Sequence, residues 1–148
     1  MELRQQLETS LRDSLKSKDE IKKQTIRMVL SSVKFSEIEK GKPLDDSGII
    51  SVIQKEIKNR RESILDAQKA NRADIIETNL QEISILEAFL PKQLTEDEIR
   101  SMAISAIEEV HAKSINDTGK VMKVILPKIQ GRAPNDQVSL IVRNLLTN

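Results

Sequence analysis

The residue types best suited to gripping an anion lie in Asp117-Thr118-Gly119-Lys120-Val121-Met122-Lys123-Val124-Ile125-Leu126-Pro127-Lys128-Ile129-Gln130-Gly131-Arg132-Ala133. At about 100° per residue, Val121, Ile125 and Ile129 share one helical face. Lys120 and Lys123 project from nearly the opposite side, and Lys128 sits at the border. Gly119 at the helix start would let a phosphate approach the amide donors there. Pro127 falls on the lysine side, where it removes one backbone bond and is expected to bend the helix toward solvent. Two readings fit this spacing: a small anion-binding surface that contacts polyphosphate, and a solvated lysine face on a short helix. Spacing alone favours the second.

Other chemistry is poorly provided for. His111 is the only histidine; a proton-carrying role is open to it, but its place at a predicted helix end favours capping or plain exposure. The chain has no cysteine, so disulfides, zinc-thiolate sites and thiol catalysis are excluded. Gly41, Gly48, Gly119 and Gly131 lie too far apart for either nucleotide-binding fingerprint. Serine and threonine are plentiful but lack a histidine base in any recognisable arrangement. We therefore assign no catalytic residue, no metal ligand and no cofactor, and do not expect catalysis by this chain alone. Phe35 and Phe89 are the only aromatics, which makes base stacking on single strands implausible.

A secondary basic patch consists of Lys58, Arg60, Arg61 and Arg72. Relative to Ile57, Arg60 and Arg61 flank an apolar stripe, so their stems can cover apolar surface while the heads reach water or an acid. Pairing with an acidic neighbouring helix is favoured here over ligand binding. The net charge of +1 conceals strong segregation. From Asp74 to Glu109 there are nine acids against Lys92 and Arg100, and from Lys113 to Arg132 five bases against Asp117.

The elements that must position these residues are all helical. Leu3, Leu7, Leu11 and Leu15 recur every four residues in a first helix, opened by Met1-Glu2-Leu3-Arg4. Asp19 caps a second helix carrying Ile26, Val29, Leu30 and Val33, which Gly41-Lys42-Pro43 ends. A third starts near Asp45 or Asp46, runs through Ile49, Ile53, Ile57 and Ile64, and closes at Asn71. A fourth, from about Ala73, carries Ile76, Leu80, Ile83, Leu86 and Leu90, and Pro91 stops it at Leu90. Thr95 and Glu98 have capping-box spacing at the start of a fifth helix, which ends near His111. Ser114 to Thr118 offers caps for a sixth, and Asn135 caps a seventh with Val138, Ile141, Val142 and Leu145 inward. The expected fold is all-α, with an N-terminal domain of about four helices (1–92) and a small three-helix C-terminal domain (93–148). About fifty residues make a small core, expected to be marginally stable alone. The opening segment lacks the apolar core of a signal peptide, and no run reaches the roughly 20 apolar residues that span a bilayer. The expectation is a cytoplasmic protein that makes no membrane contact.

Three segments give the chain a resemblance to the YqeY family: Glu56-Ile57-Lys58-Asn59-Arg60-Arg61-Glu62-Ser63 with Asn71-Arg72, then Glu82 to Leu94, then Gly119-Lys120-Val121-Met122 through Pro127-Lys128 to Gly131-Arg132-Ala133. With Ile26-Arg27-Met28, the resemblance covers essentially the whole chain. The family is related to the C-terminal tail of the B subunit of glutamine-dependent aminoacyl-tRNA amidotransferases. The resemblance implies a two-part helical fold and a tail-like tRNA-recognition role, which makes Gly119, Lys120, Lys123, Lys128 and Arg132 candidate tRNA contacts. Lys123 stands where the family favours a small residue, Pro134 where it favours an acid, and Phe89 where it favours tyrosine. The functional expectation is a non-catalytic tRNA-binding or tRNA-associated module. The alternatives are a helical interaction module that docks an amidotransferase or aminoacyl-tRNA synthetase, and an accessory to carbon–nitrogen ligase activity with glutamine as amido donor. Neither the oligomeric state nor any activity of free-standing members follows from the resemblance.

Overall fold

The structure, a computed structural model, describes residues 2–147; Met1 lies outside them, as does Asn148. The chain is all-helical, with no strand among the described residues. It forms two compact units that divide between Leu90 and Pro91. The first contains α1 (Leu3–Ser17), α2 (Glu20–Lys40), α3 (Asp46–Lys69) and α4 (Ala73–Glu87). The second contains α5 (Glu96–Val110), a 3-10 turn (Ile115–Asp117), α6 (Thr118–Ile129) and α7 (Asn135–Leu146).

Helix starts follow local chemistry. Asp19 accepts from the Lys22 amide and Asp45 from the Gly48 amide, at 3.1 and 2.9 Å. Each carboxylate thereby satisfies an orphan donor at the positive end of its helix. Thr95 and Glu98 complete the capping box of α5. Asn135 is not the cap of α7, as expected, but its first helical residue; extended Pro134 holds the cap position without a side-chain bond. Proline supplies the non-helical backbone that a cap requires and its carbonyl accepts from Val138 at 3.1 Å.

Several helix ends share one solution. Lys18, Gly41, Asn71 and His111 all adopt the left-handed conformation. The following amide then reaches back five residues, as from Lys42 to the Glu37 carbonyl (3.3 Å) and from Arg72 to Ala67 (2.9 Å). α4 ends at Glu87 rather than Leu90. A proline ring clashes with the carbonyl four residues earlier, which for Pro91 is Glu87. The chain tightens into i→i+3 turns there, with Leu90 donating to Glu87 at 3.1 Å.

Each unit has its own aliphatic core. Leu3, Leu7, Ile26, Val29, Val33, Ile49, Ile53, Ile57, Ile83 and Leu86 form the first. Ile99, Ala103, Ala106, Val121, Ile125, Ile129, Ala133, Val138, Ile141 and Val142 form the second. Two expected core leucines are exposed, Leu15 and Leu80. A strict four-residue spacing rotates by about 40° per step, so Leu15 has turned well away from Leu3. Ser14 takes the inward position instead and donates to the Leu11 carbonyl. Leu80 has likewise drifted from the face set by Ile83 and Leu86.

Across α3 and α4 the charges interlock. Arg60 is buried, and its guanidinium donates to Glu56 at 2.7 Å and to Glu82 at 2.6 Å. Ser32 of α2 donates to Glu56 at 2.9 Å, and the Met28 sulfur lies 3.7 Å from the Arg60 guanidinium. Burial works to lower the Arg60 pKa, but the hydrogen bonds from its two carboxylate partners prevail and hold it above the ordinary value. Removing one member of a buried pair leaves uncompensated charge. Arg60→Ala should therefore lower the urea-unfolding free energy of the protein by about 3 kcal/mol, the low end for buried pairs, because both carboxylates keep some water contact. A loss below about 1 kcal/mol, the range of exposed pairs, would contradict this role.

α1, α2 and the turn before α3 meet at Glu37. The Leu44 amide, donating at 2.8 Å, is the main reason its carboxyl titrates below the ordinary 4.5, and Arg4 adds to the effect. The stabilisation this linkage gives is fully present at neutral pH and is lost as pH falls through the lowered folded value. Glu37→Gln should flatten that acidic limb of the stability profile while the profile of the parent protein falls.

Candidate nucleic-acid interface

The approach to α6 is built by Ser114, whose hydroxyl caps the 3-10 turn by accepting from the Asn116 amide at 3.3 Å. The turn runs directly into α6, with Asp117 at the junction. Its carboxylate accepts from the Lys113 amide at 2.9 Å, and that bond is the main cause of its lowered pKa. Asp117 therefore stays ionised beside the first turn of α6, where it complements the positive helix end. Lys120 places its ammonium 3.8 Å from Asp117, a loose ion pair, and 72% of its side chain is exposed.

Val121, Ile125 and Ile129 turn inward, as their spacing requires, and fix the opposite face toward solvent. Lys123 lies there, exposed and without an ion pair among the described residues. Pro127 is exposed on the same side inside the helix. It has no N–H to give, so the Lys123 carbonyl lacks its i+4 donor. Gly119 also faces open space: a Cβ there would meet nothing within 4 Å. Gly119, Lys120 and Lys123 therefore share one solvated patch on the first turns of α6.

The other two predicted residues have internal work. Lys128 pairs with Glu109 of α5 at 3.1 Å. Arg132 donates to the Ile129 carbonyl at 3.0 Å and to that of Lys128 at 2.8 Å, closing the negative end of α6. Its own carbonyl accepts from Leu94 at 2.7 Å, and Gln93 reaches the Gly131 carbonyl at 3.2 Å. The Gly131-Arg132 turn thus fastens the end of α6 to the segment before α5. Sequence reasoning missed this clasp because its partners lie nearly forty residues apart; the left-handed Gln130 and Gly131 were the only local signal.

The secondary patch is largely spoken for. Arg60 sits between Glu56 and Glu82, Arg61 pairs with Glu87 at 3.2 Å, and Arg72 grips Asp74 through two bonds. The Asp74 hydrogen bond raises the Arg72 pKa and reciprocally lowers that of Asp74. Lys58 is exposed. Arg60 and Arg61 thus pair across to α4, the arrangement that their flanking positions favoured, while Arg72 pairs locally at the start of α4.

Restoring the missing N–H with Pro127→Ala should stabilise the protein. A net gain of about 2 kcal/mol is expected, from the interior-proline cost of about 3 kcal/mol less about 1 kcal/mol for the loss of unfolded-state restriction. Thermal unfolding measures it, and an unchanged or lower midpoint would show that α6 is already adapted to the proline.

Residues 4–146 match the family model described as Yqey-like protein. Among curated relatives, the chain is 34% identical over 110 residues to Altered inheritance of mitochondria protein 41, mitochondrial, of Kluyveromyces lactis. That match covers 74% of this chain and 55% of the relative. The protein of the same name from Lachancea thermotolerans is 36% identical over 57% of this chain and 46% of its own length. That from Pyrenophora tritici-repentis is 28% identical over 88% of this chain and 73% of its own. The chain thus spans about half the length of the first two relatives. Their names overturn the expected cytoplasmic location, since these relatives are designated mitochondrial. The expectation rested on cysteine content and on the character of the opening residues. Neither fixes a compartment: absence of cysteine fits any reducing environment, and addresses reside in segments separable from the fold.

Proposed function

We propose that this chain, which belongs to the Yqey-like protein family, is a non-catalytic module that binds the phosphate backbone of tRNA through the start of α6. The observation that carries the reading is the solvated pair Lys120 and Lys123 on the face opposite the second core. Lys123 has no acid to hold it among the described residues, and Lys120 is only loosely tied to Asp117. Lys128 and Arg132 serve the fold first, so they tune the patch rather than form its centre.

Two principal phosphate contacts make a weak, electrostatic binder. Counterion release then gives a shallow salt dependence, about a tenfold loss of affinity between roughly 50 and 200 mM salt. With no aromatic platform near the patch, recognition rests on backbone position and shape, the dominant mode for structured RNA. Amide transfer, if the module serves it, would be carried out by a catalytic partner that this chain brings to the RNA.

The test is a tRNA titration at those two salt concentrations, with wild type beside Lys120→Glu/Lys123→Glu and circular dichroism on both. Saturable binding that weakens about tenfold with salt, and is lost in the folded double variant, is the expected result. No binding at the lower salt would end the tRNA reading.

A further inference from the structure

On the outward side of α2, Ile21, Met28, Phe35 and Ile38 are 38%, 51%, 64% and 71% exposed. Ile21, Met28 and Phe35 are spaced by seven, and Gln24, Ser31 and Ile38 follow each by three. This is the a and d pattern of a two-stranded coiled coil. It runs diametrically opposite Ile26, Val29 and Val33, which face the core. An exposed strip with apolar residues in four of its six positions marks an interaction surface.

The flanking charges select the occupant. Arg27 and Lys34 lie on one border of the strip, at the g positions; Ser32 and Glu39 lie on the other, at e. Arg27, Lys34 and Glu39 are exposed and form no ion pair among the described residues. In a parallel pair, each g residue meets the e residue five positions later in the partner helix. Lys34 of one copy then meets Glu39 of the other. Arg27 meets Ser32, whose hydroxyl is bonded to Glu56, one of two carboxylates sharing the single Arg60 charge. An antiparallel pair would instead set the Arg27 and Lys34 borders of both copies against each other.

We propose that α2 pairs in parallel with α2 of a second copy of this chain, forming a two-fold symmetric dimer. The seam is short and its Gln24 and Ser31 layers are polar, so the dimer dissociates in the micromolar range. The two-fold places Ile38 beside its own symmetry mate, whereas antiparallel pairing sets it opposite Ile21.

Sedimentation of the full chain over about 1–100 µM tests this, with circular dichroism on every variant. Wild type should pass from monomer to dimer, and Phe35→Glu should remain monomeric while folded. Lys34→Glu should weaken the dimer at least several-fold, and adding Glu39→Lys should restore it. The chain lacks cysteine, so Ile38→Cys under mild oxidation should give a disulfide-linked dimer only from the parallel register. A monomer throughout the range, failure of the charge exchange to restore pairing, or absence of the cross-link in a dimer would each overturn the proposal.

Discussion

The Arg60 guanidinium, enclosed by Glu56 and Glu82, is the contact on which the first unit most depends. It joins α3 to α4 and also touches α2 through Met28. A buried cation of this kind adds less net stability than an apolar substitute would, but it tolerates no missing partner. The same logic recurs at lower strength in Arg61–Glu87, Arg72–Asp74 and Lys128–Glu109. Four acids of the middle stretch, Asp74, Glu82, Glu87 and Glu109, thus pair with members of the two basic clusters, each within its own unit.

The start of α6 is less tightly held. Arg60, Arg61, Arg72 and Lys128 are paired with acids, whereas α6 presents Lys123 and the loosely paired Lys120 to solvent. Pro127 stays exposed on the same face, and the Gly131-Arg132 clasp closes the helix end beneath it. The cores behind these faces are aliphatic, with small Ala103, Ala106 and Ala133 permitting close packing in the second unit. Lys120 and Lys123 carry no part of the second core, so their charge can be changed without loss of core packing.

Much of the fold was legible because helix boundaries are short-range chemistry. Asp19, Asp45, Thr95 with Glu98, Gly41, Asn71 and His111 each act within a turn of themselves. The helix interiors were read less well where a four-residue spacing was taken for a stripe, since angular drift carries Leu15 and Leu80 out of the core. Long-range features were hidden. The Arg132 clasp and the Lys128–Glu109 pair depend on tertiary approach, so two of the five candidate contacts looked freer than they are. The α2 strip escaped notice because its polar layers interrupt the heptad, and only exposure reveals that no other helix among the described residues of the first unit covers it.

In the proposed division of labour, the charges on α3 and α4 serve the fold while those at the start of α6 meet RNA. Backbone amide NMR of the labelled protein, with tRNA added at low salt, separates the two sets. Shifts should concentrate at residues 118–127 and fade as salt is raised, with the helices around Arg60 and Arg61 unmoved. Shifts clustered around Lys58 and Arg61, with α6 silent, would contradict it.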